Sequence, residues 1–418
     1  MILKNCRYII TQDSKRQILE KKDILIENNI IKKIGKIEGK GIDCSEKIIM
    51  PGLINLHTHT ITNLLRGEED DMCLQDWLEK KIWPAEKKID DCYYGALLTC
   101  LESIRSGTTC FVDMSYQIDR VAKAVEKTQI RAFLGRGLLD MGDKQLANNK
   151  LEISRKFIES YIGHPLIKPI VAPHSAYTCS EYLLKKSIKQ AKDYGLLLHM
   201  HILETEQEKR IIKKQTGMDV LPYLNKIGFL SKNTMGVHMC WLSNSDCELL
   251  KEKGCSVVHC PSSNMKLATG SRLPLEKLQE VLVGLGTDSV ASNNNLDIFE
   301  EMKIAGLLHK YELKDPCAIP VQTLLDMATI IPAKILGLNA GQIIEGALAD
   351  IITLSVNNPK IIPLSKKRII SHIVYSISGS DVTDTIIDGN LLMKDKKIKD
   401  ELKEIKVIQS YAKKVKLV

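Results

Sequence analysis

Apolar and β-branched runs, each ending in polar or small residues, alternate along the chain with stretches whose apolar positions recur about every 3.6 residues. The runs that predict strands end near His59, Asp113, Gly137, His174, Glu204, Met239, Ser262 and Asp288. Between them, DCYYGALLTCLESIRSG, DRVAKAVEKT, SEYLLKKSIKQAKDYG and NSDCELLKEKG read as helices, several closing on a glycine. Repeated βα units over residues 53–340 predict an α/β fold, a (β/α)8 TIM-type barrel; a doubly wound sheet is the structural competitor. Residues 1–52 read as short strands and turns, with Asn28-Asn29 as one turn, and residues 341–396 read likewise, from GALADIITLSV to TIIDGNLLMKD. These two flanks are expected to join as one small β-sandwich. Residues 397–418 read as a Lys-rich amphipathic helix capping the surface.

Composition narrows the class. With 418 residues, of which 44% are hydrophobic and 26% charged, the chain can bury a large core, which excludes disordered and collagen-like architectures. The net charge of +8 comes from lysines scattered on solvated faces, so no nucleic-acid partner is expected. The start, MILKNCRYII, lacks a charged leader and cleavage site, and no apolar run approaches the roughly 18 residues of a bilayer span. A cytoplasmic protein without a membrane partner is therefore expected. The 12 cysteines show no CxxC pairing and read as reduced core residues.

The chemistry gathers at strand ends. PGLINLHTHT places His57 and His59 two residues apart, so both imidazoles can face one metal, although an isolated pair of this kind is as readily two surface histidines. In LLLHMHILETE, His201 lies nearer the strand end and is the candidate ligand; His199 is left a packing or supporting role. Glu204 stands three residues beyond His201, a place suited to proton transfer. GVHMCW puts His238 at the end of the sixth strand, and GLGTDSVASNNN puts Asp288 at the end of the eighth. In isolation Asp288 would read as a helix cap. Together the strand ends converge on the barrel face where such enzymes keep their sites. His57, His59, His201 and Asp288 offer nitrogen and oxygen donors suited to one Zn2+, with Fe2+ or Mn2+ also compatible.

PGLINLHTHT, LLRGEEDDMCLQDWLEKKIWPAE, SGTTCFVDM, VAPHSAYTCS, HMHILETEQE, HCPSSNMKLATG, GLGTDSVASNNN and GALADIITL resemble the amidohydrolase superfamily over essentially the whole chain. The DWLEKKIWPAE segment narrows the resemblance to the 5-methylthioadenosine/S-adenosylhomocysteine deaminases. The resemblance implies one metal per subunit on His57, His59, His201 and Asp288, with Glu204 and His238 beside it. It also implies that Glu86 grips the ribose hydroxyls, Trp77 lines the nucleoside pocket, His174 contacts the base and Arg136 lies near the amino-acid end of the longer substrate. Many relatives carry a second arginine where this chain has Asn148, which tilts the expectation toward methylthioadenosine or another 5'-modified adenosine; Lys144 or Lys150 can take the arginine's place.

The expected reaction is hydrolytic deamination at C6 of adenine, giving the inosine analogue and ammonia. Water activated by the metal would attack C6, with Asp288 taking its proton, Glu204 supplying one to N1 and His238 stabilising the attacking oxygen. Glu204 and Asp288 thus belong to both the catalytic and the substrate-binding sets. The competing reading is a deaminase or related hydrolase of another aminated heterocycle, such as guanine, cytosine or an s-triazine. A barrel that has lost its metal is the non-catalytic alternative, and no proposed ligand is missing. A small-molecule nucleoside partner and a homo-oligomer follow as expectations from the family.

Overall fold

The computed structural model describes residues 1–417. Eight parallel strands follow one another around a barrel: β1 (Leu53–Thr58), β2 (Thr108–Ser115), β3 (Arg131–Leu138), β4 (Ile167–Pro173), β5 (Leu198–Ile202), β6 (Thr234–His238), β7 (Ser256–His259) and β8 (Leu282–Leu285). The last meets the first just beyond its end, where Thr58 and Asp288 form a parallel bridge and the Asp288 amide donates to His57 O at 2.9 Å. Nearly every residue in these strands is buried, as a parallel sheet covered on both faces requires. Ile54, Leu56, Val112, Ile170, Met235, Val237 and Val258 share one apolar cluster with Ala333, Ile335 and Leu336, which the chain supplies after β8.

The helices form where capping chemistry and period agree. Tyr93–Ser106 closes on Gly107 at φ 82°, Glu181–Tyr194 runs from a Ser180 cap to Gly195, and Asn244–Lys253 runs from a Ser243–Asp246 capping box to Gly254. Ile118–Thr128 has no terminal glycine and ends on Gln129, itself left-handed at φ 63°.

The flanks meet in a mixed sheet of nine strands. Lys47–Pro51 pairs antiparallel with Ile351–Ser355, and Ile9, Ile24, Ile26, Ile49, Ile351 and Ile386 lie in its core. Asn28 turns the hairpin between Ile18–Glu27 and Ile30–Gly35 at φ 53°. Barrel and sheet are tied by buried Arg131, whose guanidinium lies 2.9 Å from both Asp350 and Asp388. The C-terminal helix, Glu401–Lys414, lies against Tyr93–Ser106: Tyr411 stacks on Tyr94 with ring centres 4.0 Å apart, and Glu401 pairs with Arg105. Val418, the end of the expected helical segment, lies outside the described residues.

Every cysteine except Cys73 and Cys317 is buried, and all are free. Among the described residues no helix is long and apolar enough to cross a membrane. Short helical turns over Thr60–Leu65, Leu74–Trp77 and Trp83–Glu86 cover the C-terminal mouth of the barrel, held by an apolar cluster of Ile61, Leu65, Trp77, Ile82 and Ile89.

Candidate active site

Three strands end on left-handed residues that bear side chains: Leu203 (φ 52°) after β5, His238 (φ 71°) and Met239 (φ 51°) at β6, and Asp288 (φ 62°) after β8. Such conformations are costly away from glycine and persist where surrounding contacts impose them. Gly286 admits the close approach behind this site, since a Cβ there would lie 2.9 Å from His57 Cβ.

The side chains from these ends converge. His57 Nε2 lies 3.1 Å and His59 Nε2 3.5 Å from Asp288 Oδ1. His201 Nε2 is 3.2 Å from His57 Nε2 and 3.3 Å from His59 Nε2. Donors about 2.0–2.1 Å from a tetrahedral zinc stand roughly 3.3 Å from one another, the spacing of these contacts, and His57, His59 and Asp288 gather as one candidate metal cluster with His201 against both histidines. His238 Nε2 joins His57 and His201 in a second grouping within 4.8 Å, and it lies 3.8 Å from Glu204 Oε1.

Each imidazole is oriented by its other nitrogen. Nδ1 of His59 faces Met114 O at 3.1 Å, that of His201 faces His174 O at 2.7 Å, and that of His238 faces Asn264 Oδ1 at 2.8 Å. A carbonyl can only accept, so the proton sits on Nδ1 and the Nε2 lone pair is turned to the centre. His57 Nδ1 instead meets His199 Nε2 at 3.2 Å, the supporting role left to His199. Burial lowers His57 to about 4 and holds His201 well below the ordinary range, leaving neutral rings free to ligate. Burial alone would raise Asp288, but the hydrogen bond and charge of His57, with His238 and His59 beyond, hold it well below the usual carboxylate range. Its other oxygen accepts from Ser263 Oγ at 2.5 Å and Ser292 Oγ at 3.1 Å.

Above these groups lies an inner chamber of about 90 Å3 lined by His59, His201, Glu204, His238, Asp288, Trp77, Glu86 and His174. An apolar cavity of about 460 Å3 adjoins it, and the two share Ile61, Trp83, Glu86, Tyr116, Leu139 and His174. Burial pushes Glu86 up to about 7 and also raises Glu204. His174, lowered to about 3 by burial, has Nδ1 3.0 Å from Thr178 Oγ1. Trp77 is anchored by its indole N–H to Glu69 O at 3.1 Å.

The structure places Arg136 outside the lining of both cavities, with its guanidinium donating to Tyr116 O. Asn148 accepts from Tyr182 OH at 2.7 Å, and Lys144 sits 5.0 Å from the same ring centre, so both stand apart from the cavities. Lys150 is half-buried, and burial, then the neighbouring Arg136 charge, lowers it. Sequence reasoning missed Ser263, Asn264 and Ser292, which lie in the short helices Pro261–Lys266 and Val290–Asn293 beyond β7 and β8, where no strand end marks them. Tyr116 and Tyr177, also in the lining, carried no signal of period or spacing.

The sequence pattern of the amidohydrolase family matches residues 48–392. The chain is 42% identical to the 5'-deoxyadenosine deaminase of Methanosarcina mazei, over 99% of this chain and 97% of that one. It is 44% identical to the 5-methylthioadenosine/S-adenosylhomocysteine deaminase of Thermococcus sibiricus, over 94% of each. Among solved structures, an adenosine deaminase from Xanthomonas campestris with bound zinc superposes with a TM-score of 0.94 at 28% identity, covering 100% of this chain and 98% of that one. The barrel, the strand-end histidines and these matches agree: the chain belongs to the amidohydrolase family.

Proposed function

We propose that the protein hydrolytically deaminates free adenosine-type nucleosides at C6, with one Zn2+ per subunit held by His57, His59, His201 and Asp288. The observation that carries this reading is a single chamber walled by three of the candidate metal ligands, His59, His201 and Asp288, by Glu204 and His238, and by Trp77 and Glu86 from the covering segment. Two relatives matched over nearly their whole length are named for deaminating 5'-modified adenosines.

The ion would supply Lewis acidity that makes water a competent nucleophile near neutral pH. Asp288, ionised in its setting, accepts the proton of the water that attacks C6 and passes it to the departing amine. Glu204, kept protonated longer by burial, donates to N1 as the ring's π-electrons shift onto it, and takes back the C6 hydroxyl proton as the amine departs and the carbonyl forms. His238, anchored by Asn264, presents Nε2 to the incoming oxygen and orients it. Nucleoside and water become the inosine analogue and ammonia. Glu86 binds the ribose hydroxyls, and Trp77 and His174 enclose the sugar and base.

At the 5' end, Ile61, Trp83, Ile89, Cys92, Leu139 and Met141 favour a compact apolar substituent. With Arg136 outside this lining, 5'-deoxyadenosine and methylthioadenosine are the preferred substrates, ahead of S-adenosylhomocysteine. The test is ammonia release from these three, adenosine, guanine and cytosine, using zinc-loaded protein. Release from the nucleosides alone is expected; turnover of a free base with none of the nucleosides would overturn the reading.

A further inference from the structure

Glu208, in the first turn of the helix that follows β5, is a buried acid for which the proposed reaction has no use. It lies in TEQE at the start of the helix Glu206–Thr216, the spacing of a capping box, in which the glutamate ordinarily reaches back to the cap residue's own amide. Half of that box is present: Thr205 Oγ1 accepts from the Glu208 amide at 3.2 Å. The other half is displaced by one residue, because Glu208 Oε2 accepts the amide of Glu204 at 3.1 Å. A capping carboxylate is ordinarily solvated, yet Glu208 is only 1% exposed, and its Oε1 has no hydrogen-bond partner among the described residues. Burial pushes it up to about 8, with the amides of Leu203 and Glu204 pulling it back only in part.

The same amide follows the left-handed Leu203, where the chain leaves the strand direction and turns the Glu204 carboxyl into the chamber. A leucine holds that conformation only where its neighbours impose it. We propose that Glu208 is a positioning residue for Glu204: by gripping the Glu204 amide from within the core, it holds the turn at Leu203 and so aims the proton donor at the substrate. This inference rests on the deaminase reading above.

Glu208→Ala and Glu208→Gln in the zinc-loaded protein test it. The glutamine amide oxygen can still accept the Glu204 N–H. Glu208→Ala is expected to lower kcat for 5'-deoxyadenosine by at least about tenfold while KM stays within about threefold, and Glu208→Gln to stay within about threefold of the parent. Because Glu208 acts through Glu204, adding Glu208→Ala to Glu204→Gln should slow the enzyme no further. Amide hydrogen exchange should quicken over residues 203–208 in Glu208→Ala and nowhere else in the barrel. Parent-like kcat in Glu208→Ala, losses that multiply in the double variant, or exchange that quickens throughout the barrel would each overturn the proposal. Absence of nucleoside turnover in the parent would strike the functional reading alone, since exchange at the Glu204 amide still tests the grip.

Discussion

Ser263 Oγ lies 2.5 Å from Asp288 Oδ2, the carboxylate oxygen that His57 does not engage. Ser292 Oγ reaches the same atom at 3.1 Å, so Asp288 is turned by two hydroxyls on one side while its Oδ1 faces the histidines. Partners of this kind orient a ligand and typically matter by about 10–100-fold in metal affinity or activity. Ser263→Ala is expected at the lower end of that range and Ser263→Ala with Ser292→Ala at the upper end. Competition with a zinc chelator and measurement of kcat read both. Parent-like behaviour of the double variant would mean that the histidines alone orient Asp288.

Among the described residues the Glu204 carboxyl makes no hydrogen bond or ion pair with the four candidate ligands, and it lies 3.8 Å from His238 Nε2. Replacing its carboxyl should therefore separate proton transfer from metal binding. Glu204→Gln is expected to retain zinc at the parent stoichiometry and to lose roughly 10²–10⁴-fold in kcat, the range of a general acid. Stripping zinc from the parent with a chelator should abolish turnover, and adding it back should restore the rate. Retained kcat in Glu204→Gln would remove it from the reaction.

The barrel and its central donors were legible because the rules behind them are local. Parallel strands read as apolar runs, and the residue ending each run lies at one common mouth, which is how His57, His201, His238 and Asp288 could be set together before their distances were known. What lay off the strands was less legible. Ser263 and Asn264 look like ordinary turn residues until Asp288 and His238 are seen to need them. The cover from Thr60 to Glu86 is a series of short turns with too little period to show which faces point inward. Arg136 sits on a strand as expected, but its guanidinium is taken by the Tyr116 carbonyl, a contact set by the neighbouring strand's loop.

Glu86 enters the chamber from the cover and not from the barrel, so its role can be tested without disturbing the strand ends. A carboxylate hydrogen-bonded to sugar hydroxyls is worth roughly 1.5–3 kcal/mol, or about 10–150-fold in binding. Glu86→Ala is expected to raise KM for 5'-deoxyadenosine by that factor with a smaller change in kcat. A 2',3'-dideoxynucleoside should be turned over equally poorly by parent and variant. An unchanged KM with the natural sugar would assign the hydroxyls to another residue.

Arg131 starts β3 at the end of the barrel opposite the chamber, where it bridges Asp350 and Asp388 of the mixed sheet from a 3% exposed position. Removing one member of a buried, hydrogen-bonded ion cluster leaves the others uncompensated and costs about 3–5 kcal/mol. Arg131→Ala should lower the urea midpoint accordingly while kcat of the folded fraction is kept. A midpoint unchanged from the parent would show that packing alone joins the two parts.

Away from the candidate metal ligands, Glu301 couples stability to pH. It accepts from the Ser262 amide at 3.2 Å and from Asn293 Nδ2 at 2.7 Å, and burial pushes it up from 4.5 to about 8. Over that interval the folded chain keeps a proton that the unfolded chain has lost, so stability falls as pH rises through it. Histidines act in the opposite sense: His57 and His174, lowered by burial to about 4 and about 3, give stability that grows with pH up to the ordinary histidine value of 6.5. Above 6.5 that contribution is complete, and buried acids such as Glu301 and Glu208 set the slope. Metal-free protein should therefore show a Tm that falls between pH 6.5 and 8, and Glu301→Gln, which has no proton to lose, should flatten that fall. An equal slope in parent and variant would mean that Glu301 is already ionised in the folded chain, its charge carried by the Ser262 and Asn293 donors.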